Sequence, residues 1–157
     1  MKRFHVHIHV DDLPASINFY QRLFSTAPTR VEADYAKWML EDPKVNFAIS
    51  TRAGKPGLDH LGFQTESTEE LAALKARAQI AEMTVRDEGE TTCCYAKSEK
   101  HWITDPQGIA WEHFHTLADI PMFNEDHATT GAGVCCAPAP NGHAPCCGTG
   151  GAKSSCC

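Results

Sequence analysis

The clearest chemistry in this chain belongs to its thiols. All eight cysteines occur as adjacent pairs: Cys93-Cys94, Cys135-Cys136, Cys146-Cys147 and Cys156-Cys157. Neighbouring cysteines rarely bond to each other, because the small ring they would close is strained away from ordinary disulfide geometry. Two thiolates side by side form instead a chelate for a soft, thiophilic metal or metalloid. A harder set of donors accompanies them: His5, His60 and Glu112. Two histidines and one carboxylate, with other positions open, are the donor set of the facial triad of non-haem Fe(II) oxygen chemistry, which spacing alone suggests without fixing.

These donors need elements to position them. Phe4-His5-Val6-His7-Ile8-His9-Val10 alternates strictly and reads as a strand. Asp11-Asp12 offers an N-cap, Pro14 is tolerated in a first turn, and Leu13, Ile17, Tyr20 and Phe24 share one helical face. Strand-like runs follow near residues 35–40 and 45–50, and residues 51–57 read as a linker. The pattern then restarts. Residues 59–65 form a strand, Ser67-Thr68-Glu69-Glu70 is a capping box, and Leu71, Leu74, Ala78 and Ala81 line a second helix. Strands are expected near residues 83–87, 92–97, 101–104 and 109–115.

The chain is therefore βαβββ written twice, an α+β fold, with His5 and His60 at matching places. The modules cover about residues 3–50 and 58–116 of a domain spanning 1–121, and 122–157 forms a tail. After Leu117 the periodicity ends, and residues 131–157 are small, polar and Pro/Gly-rich, a composition expected to be disordered without a ligand. The three cysteine pairs there, near His143, suit capture of soft ions or a loose appendage; they lack zinc-finger spacing.

Opposite the apolar face of the first strand lie His5, His7 and His9; the matching face of the second module carries His60, Gly62 and Gln64. His5 and His60 are read as ligands, because the repeat superposes them. His7 and His9 are read as solvent-facing residues of an antiparallel sheet. Glu112 shares a face with Ala110 and Phe114, as an edge residue or one drawn inward by a partner.

The doubled βαβββ pattern, the His5 strand running through Val10-x-Asp12-Leu13 into Ser16-Ile17-Asn18-Phe19-Tyr20, the His60 strand, and Asp105-Pro106-x-Gly108-x-x-Trp111-Glu112 together resemble the vicinal oxygen chelate superfamily. That superfamily includes glyoxalase I, fosfomycin resistance proteins and extradiol dioxygenases. The resemblance implies two modules curled around one divalent metal held by His5, His60 and Glu112. Aligning Asp42-Pro43 with Asp105-Pro106 sets Glu112 against Ile49, which cannot bind a metal. Three protein ligands favour the O2-using members over a glyoxalase-type isomerase.

Within the superfamily, Thr91-Thr92-Cys93-Cys94-Tyr95-Ala96, Lys100-His101-Trp102, Trp111-Glu112 and Thr116-Leu117-Ala118-Asp119 resemble the organoarsenical C–As lyases and cadmium-induced proteins. That resemblance implies that Cys93 and Cys94 hold a trivalent organoarsenical such as methylarsenite through two As–S bonds. Fe(II) beside them, in a site other divalent metals can occupy, uses O2 as the carbon–arsenic bond breaks and arsenite is released. Lys100 either lowers the thiol pKa or closes over the site, or is a solvated loop lysine. Some members carry glutamine in place of His5, a weaker neutral ligand than histidine.

The rest of the composition narrows the field. The chain has 157 residues, enough for one domain with a core, and a net charge of −6. No basic stripe suggests nucleic acid, no apolar run suggests a membrane span, and the start lacks a signal h-region. A cytoplasmic protein with reduced thiols is expected. The rival class is a non-catalytic heavy-metal-binding stress protein on the same fold, sequestering cadmium, arsenite or copper. One chain holds both modules, which favours an intrachain site; superfamily members also pair between chains, so a homodimer stays open.

Overall fold

The computed structural model describes residues 1–52, 55–93 and 95–119. The elements run β1 (Arg3–His9), α1 (Leu13–Leu23), β2 (Arg30–Glu32), β3 (Tyr35–Glu41) and β4 (Lys44–Ser50), then β5 (Gly57–Thr65), α2 (Thr68–Ile80), β6 (Arg86–Cys93), β7 (Ala96–Thr104) and β8 (Ala110–Asp119). The βαβββ repeat is thus observed. The caps are those the sequence suggests. Asp12 accepts from the backbone N–H of Ala15 at 2.9 Å and Ser67 from that of Glu70 at 3.2 Å, each satisfying an orphan donor of a first helical turn.

All eight strands form one mixed sheet in the order β2-β3-β4-β1-β5-β8-β7-β6. The symmetry of that order follows from the repeat. Each module pairs its first strand in parallel with its last, β1 with β4 and β5 with β8, and the two first strands meet antiparallel at the centre. The sheet is a half-barrel with two helices, so its two faces have different fates. One face takes the helices: Leu13, Ala36, Trp38, Phe47 and Ile49 form a core with Ile17 and Tyr20 of α1 and its C-cap residue Phe24 packed on it. The other lines a polar cavity.

Several local expectations are corrected. The strand expected near 83–87 begins only at Arg86 and runs on to Cys93 as β6, so the run 92–97 is not one strand: Cys93 ends β6, Tyr95 takes a left-handed φ of 62°, and β7 begins at Ala96. The run 101–104 is the end of β7 and not a separate strand. The short β2 was not anticipated; three residues are too few for periodicity to register.

Candidate metal and thiol centre

Three neighbouring central strands bring the predicted hard donors together. β1 carries His5, β5 carries His60, and Gly62 of β5 stands opposite both His5 and Glu112 of β8. His5 Nε2 lies 3.0 Å from His60 Nε2, and Glu112 Oε2 lies 3.6 Å and 3.4 Å from those two nitrogens. Two donors each about 2.1 Å from one ion at right angles are about 3 Å apart, so these separations fit one divalent metal. All three residues are buried.

The ring nitrogens support this use. His5 Nδ1 lies 3.0 Å from the Asn46 carbonyl oxygen, and His60 Nδ1 lies 2.5 Å from Asp59 Oδ2. In each ring the outer nitrogen has an acceptor for its proton, which leaves Nε2 aimed at the cluster. The Lys100 ammonium donates to Glu112 Oε1 at 2.9 Å, so the other carboxylate oxygen faces the histidines. Trp102 meets His60 and Phe114 meets His5 in T-shaped contacts with ring centroids 5.1 Å apart, which gives both imidazoles apolar neighbours.

Charge is concentrated where the sheet is driest. Burial, and then the His60 charge, depress His5 to a pKa of about 4. Burial also disfavours the His60 imidazolium, but its contacts with Asp59 and Glu112 outweigh that and raise its pKa to about 9. Burial alone would raise the Glu112 carboxyl; the Lys100 charge and His60 instead hold it well below the usual range. Asp59 is held low in the same way, by His60 and His9.

Cys93, the last residue of β6, is buried at 3% exposure and lines the same cavity as His5, His60, Lys100 and Glu112. Tyr95, just past it, is tied to the first module. Its hydroxyl donates to Asp34 Oδ1 at 2.8 Å, its carbonyl accepts from Arg30 Nη1 at 3.0 Å, and the Arg30 and Arg52 guanidinium groups lie over its ring. Cys94, the second predicted thiol ligand, lies outside the described residues, as do the tail pairs Cys135-Cys136, Cys146-Cys147 and Cys156-Cys157.

Several residues differ from the sequence reading. His7 and His9 are buried and not solvent-facing, at 3% and 6% exposure, because the sheet closes around them. His7 Nε2 and His9 Nδ1 meet Ser50 Oγ at 2.9 and 3.2 Å, and His9 Nε2 lies 2.9 Å from Asp59 Oδ1, outside hydrogen-bonding alignment. Lys100 is no loop lysine: it sits on β7, almost fully buried. The first-module residue equivalent to Glu112 is Ala48, not Ile49. β5–β8 pairs Gly62 with Glu112, and the equivalent β1–β4 register pairs His7 with Ala48. Ile49 belongs to the helix-side core. Alanine carries no donor either, so among the described residues the cluster offers three candidate donors, His5, His60 and Glu112.

In the sequence Gly62 is marked only by its place on the histidine face, and Asn46 only as a polar neighbour of Ile49. Asn46 lines the cavity; its side-chain oxygen is buried without a hydrogen-bond partner, while its amide donates to Gln64 Oε1 at 2.9 Å. A Cβ on Gly62 would stand 1.9 Å from the Glu112 carbonyl oxygen, so glycine lets β5 and β8 approach closely enough to set the candidate donors together.

Similarity to known proteins follows the same lines. Residues 2–113 match the Glyoxalase/Bleomycin resistance protein/Dioxygenase superfamily. The chain is 43% identical to a trivalent organoarsenical cleaving enzyme of Bacillus sp. (strain MD1), over 90% of this chain and 86% of that protein. It is 35% identical to the cadmium-induced protein CadI of Mycobacterium bovis, over 87% of this chain and 93% of that protein. Among solved structures, the Mn(II)-bound glyoxalase of Novosphingobium aromaticivorans superposes with a TM-score of 0.55 at 20% identity, covering 82% of this chain and 44% of that one, a likeness of fold. Sequence, sheet order and relatives agree: this chain belongs to the glyoxalase/bleomycin resistance protein/dioxygenase superfamily.

Proposed function

We propose that the protein cleaves the carbon–arsenic bond of trivalent organoarsenicals such as methylarsenite, releasing arsenite, with Fe(II) held by His5, His60 and Glu112 and the arsenic held by Cys93 and Cys94. The observation that carries this reading is that the Cys93 thiol lines the cavity onto which the three hard donors converge. Relatives named as trivalent organoarsenical cleaving enzymes support it.

The residues divide the work by chemical hardness. Two thiols condense with the two hydroxyls of methylarsenite, forming two As–S bonds and releasing two waters, with no change in oxidation state. The second bond closes intramolecularly, which is where a paired thiol gains over a single one. The thiolate is the reacting form, and the Lys37 and Lys100 ammonium groups lining the same cavity favour it. A bound ferrous ion would supply O2 activation, and O2 is the oxidant that balances the cleavage: methylarsenite and O2 give arsenite and the methyl carbon as formaldehyde, with arsenic trivalent throughout. Lys100 holds Glu112 so that one oxygen is committed to the centre, Asn46 offers an open acceptor, and Trp102 and Phe114 give the imidazoles apolar neighbours. Holding the arsenical in this cavity replaces a bimolecular encounter with a positioned one. Reduced thiols suit a cytoplasmic setting for this activity.

The test is arsenite release from methylarsenite by purified protein reconstituted with Fe(II), compared in air and under argon. Release in air alone is expected. No release in air, together with tight cadmium binding, would favour a heavy-metal-binding protein on the same fold, as the cadmium-induced relative suggests.

A further inference from the structure

We propose that Asp59 is the positioning residue of the metal centre: it holds the Nδ1 proton of His60, so that Nε2 is presented to the ion between His5 and Glu112. The proposal rests on the reading of His60 as a metal ligand.

In a regular strand Asp59 and His60 would point to opposite faces. The pairing of β1 with β5 runs His7 to His60 and then Ile8 to Leu58, which leaves Asp59 as the extra residue of a bulge. Bulges re-aim side chains beside functional sites. This one turns a carboxylate onto the histidine face, with its side chain only 10% exposed. Asp59 Oδ2 reaches His60 Nδ1 at 2.5 Å, and Oδ1 lies 2.9 Å from His9 Nε2. His7, whose Nδ1 is 3.7 Å from Oδ2, and His9 meet at Ser50 and wall the carboxylate off from solvent.

His7, Asp59 and His60 are close enough to suggest a second ion of their own. The 2.5 Å separation of Oδ2 from His60 Nδ1 decides against it, because two donors on one ion stand about 3 Å apart whereas a strong hydrogen bond is shorter. A carboxylate on the outer nitrogen of a ligand histidine fixes the tautomer, orients the ring and raises the basicity of the inner nitrogen.

The test is a Mn(II) titration of the metal-free full-length chain, with free Mn(II) read by electron paramagnetic resonance. Mn(II) is chosen because carboxylate and imidazole suit it and the thiol-rich tail does not. His60→Ala is expected to weaken binding most. Asp59→Asn, nearly isosteric, is expected to weaken it roughly 10- to 100-fold at unchanged stoichiometry, and Asp59→Glu to recover part of that loss by restoring the charge. If Asp59→Asn does not fold, Asp59→Glu and Asp59→Ala give the same comparison. Weakening by His60→Ala with wild-type affinity in the Asp59 variants would overturn this proposal alone. Loss of a second equivalent of Mn(II) with the first retained would overturn it in favour of a separate site. Wild-type affinity in His60→Ala would overturn the ligand reading itself.

Discussion

The Lys100 ammonium lies 2.9 Å from Glu112 Oε1, and both side chains are at most 10% exposed. A buried pair of this kind is far costlier to break than to replace. Lys100→Met should therefore destabilise the metal-free protein by about 3–5 kcal/mol, because it strands a buried carboxylate. A bound divalent ion supplies the missing charge, so the loss should shrink when Mn(II) is present. Urea melts with and without Mn(II) check this. Equal losses in both states would mean that Glu112 does not face the ion.

Gly62 sets the distance between the strands that carry His60 and Glu112. Gly62→Ala should force β5 and β8 apart, costing about 1–3 kcal/mol as an overpacked substitution does. Its distinguishing effect should be on metal affinity, lowered by at least about tenfold because a cluster this tight loses its fit when one strand moves. Mn(II) titration beside a denaturant melt separates the two effects. Normal affinity in a folded variant would show that the close approach is not needed.

The metal-free protein should have a stability optimum near pH 6.5. His60, raised to about 9, contributes stability that is present below its ordinary value of 6.5 and is lost as pH rises through about 9. His5 and His113, both depressed to about 4, act in the other direction. Between about 4 and 6.5 the unfolded chain binds more protons than the folded one, so stability falls as pH drops through that window. His7, also held low by burial, adds to the acid limb. Metal uptake should displace the His60 proton. Affinity should then rise about tenfold per pH unit from about pH 7 to about pH 9, with one proton released per ion. Calorimetry in two buffers of different ionisation enthalpy counts that proton, and a count of zero would contradict the assignment.

The Tyr95 clamp should govern the thiol segment. Tyr95→Phe removes the hydroxyl that meets Asp34 and should cost about 1.5–3 kcal/mol, the usual worth of a hydrogen bond to a charged group. It should also speed alkylation of Cys93, now buried beside it. Mass spectrometry of the modified peptide checks the rate, and an unchanged rate would mean that Tyr95 does not hold the segment.

Much of the site was legible because the repeat doubles the signal. His5 and His60 superpose in the two modules, and strict alternation assigns both to one face. Glu112 was legible through its strand and its resemblance to known relatives. What escaped depends on tertiary closure. The burial of His7 and His9 follows from a half-barrel that alternation alone cannot distinguish from an open sheet. Asp59 was hidden by the bulge, since period-2 reasoning puts it on the wrong face. Ile49 and Ala48 differ by one step of register because the Asp42-Pro43 and Asp105-Pro106 turns do not occupy equivalent places in the two ladders. Lys100 was ambiguous because lysine is rarely buried unless paired, and its partner is twelve residues away on the next strand.

The central claim is that the thiol beside the triad, and not the tail, is the substrate clamp. The most direct measurement is arsenite yield from methylarsenite by three Fe(II)-loaded full-length proteins in air: wild type, Cys93→Ser, and a variant with serine at all six tail cysteines. Cys93→Ser should lose at least about 100-fold, because it gives up both chelation and positioning, while the tail variant should stay within about threefold of wild type. Retained turnover in Cys93→Ser, with loss in the tail variant, would contradict the claim.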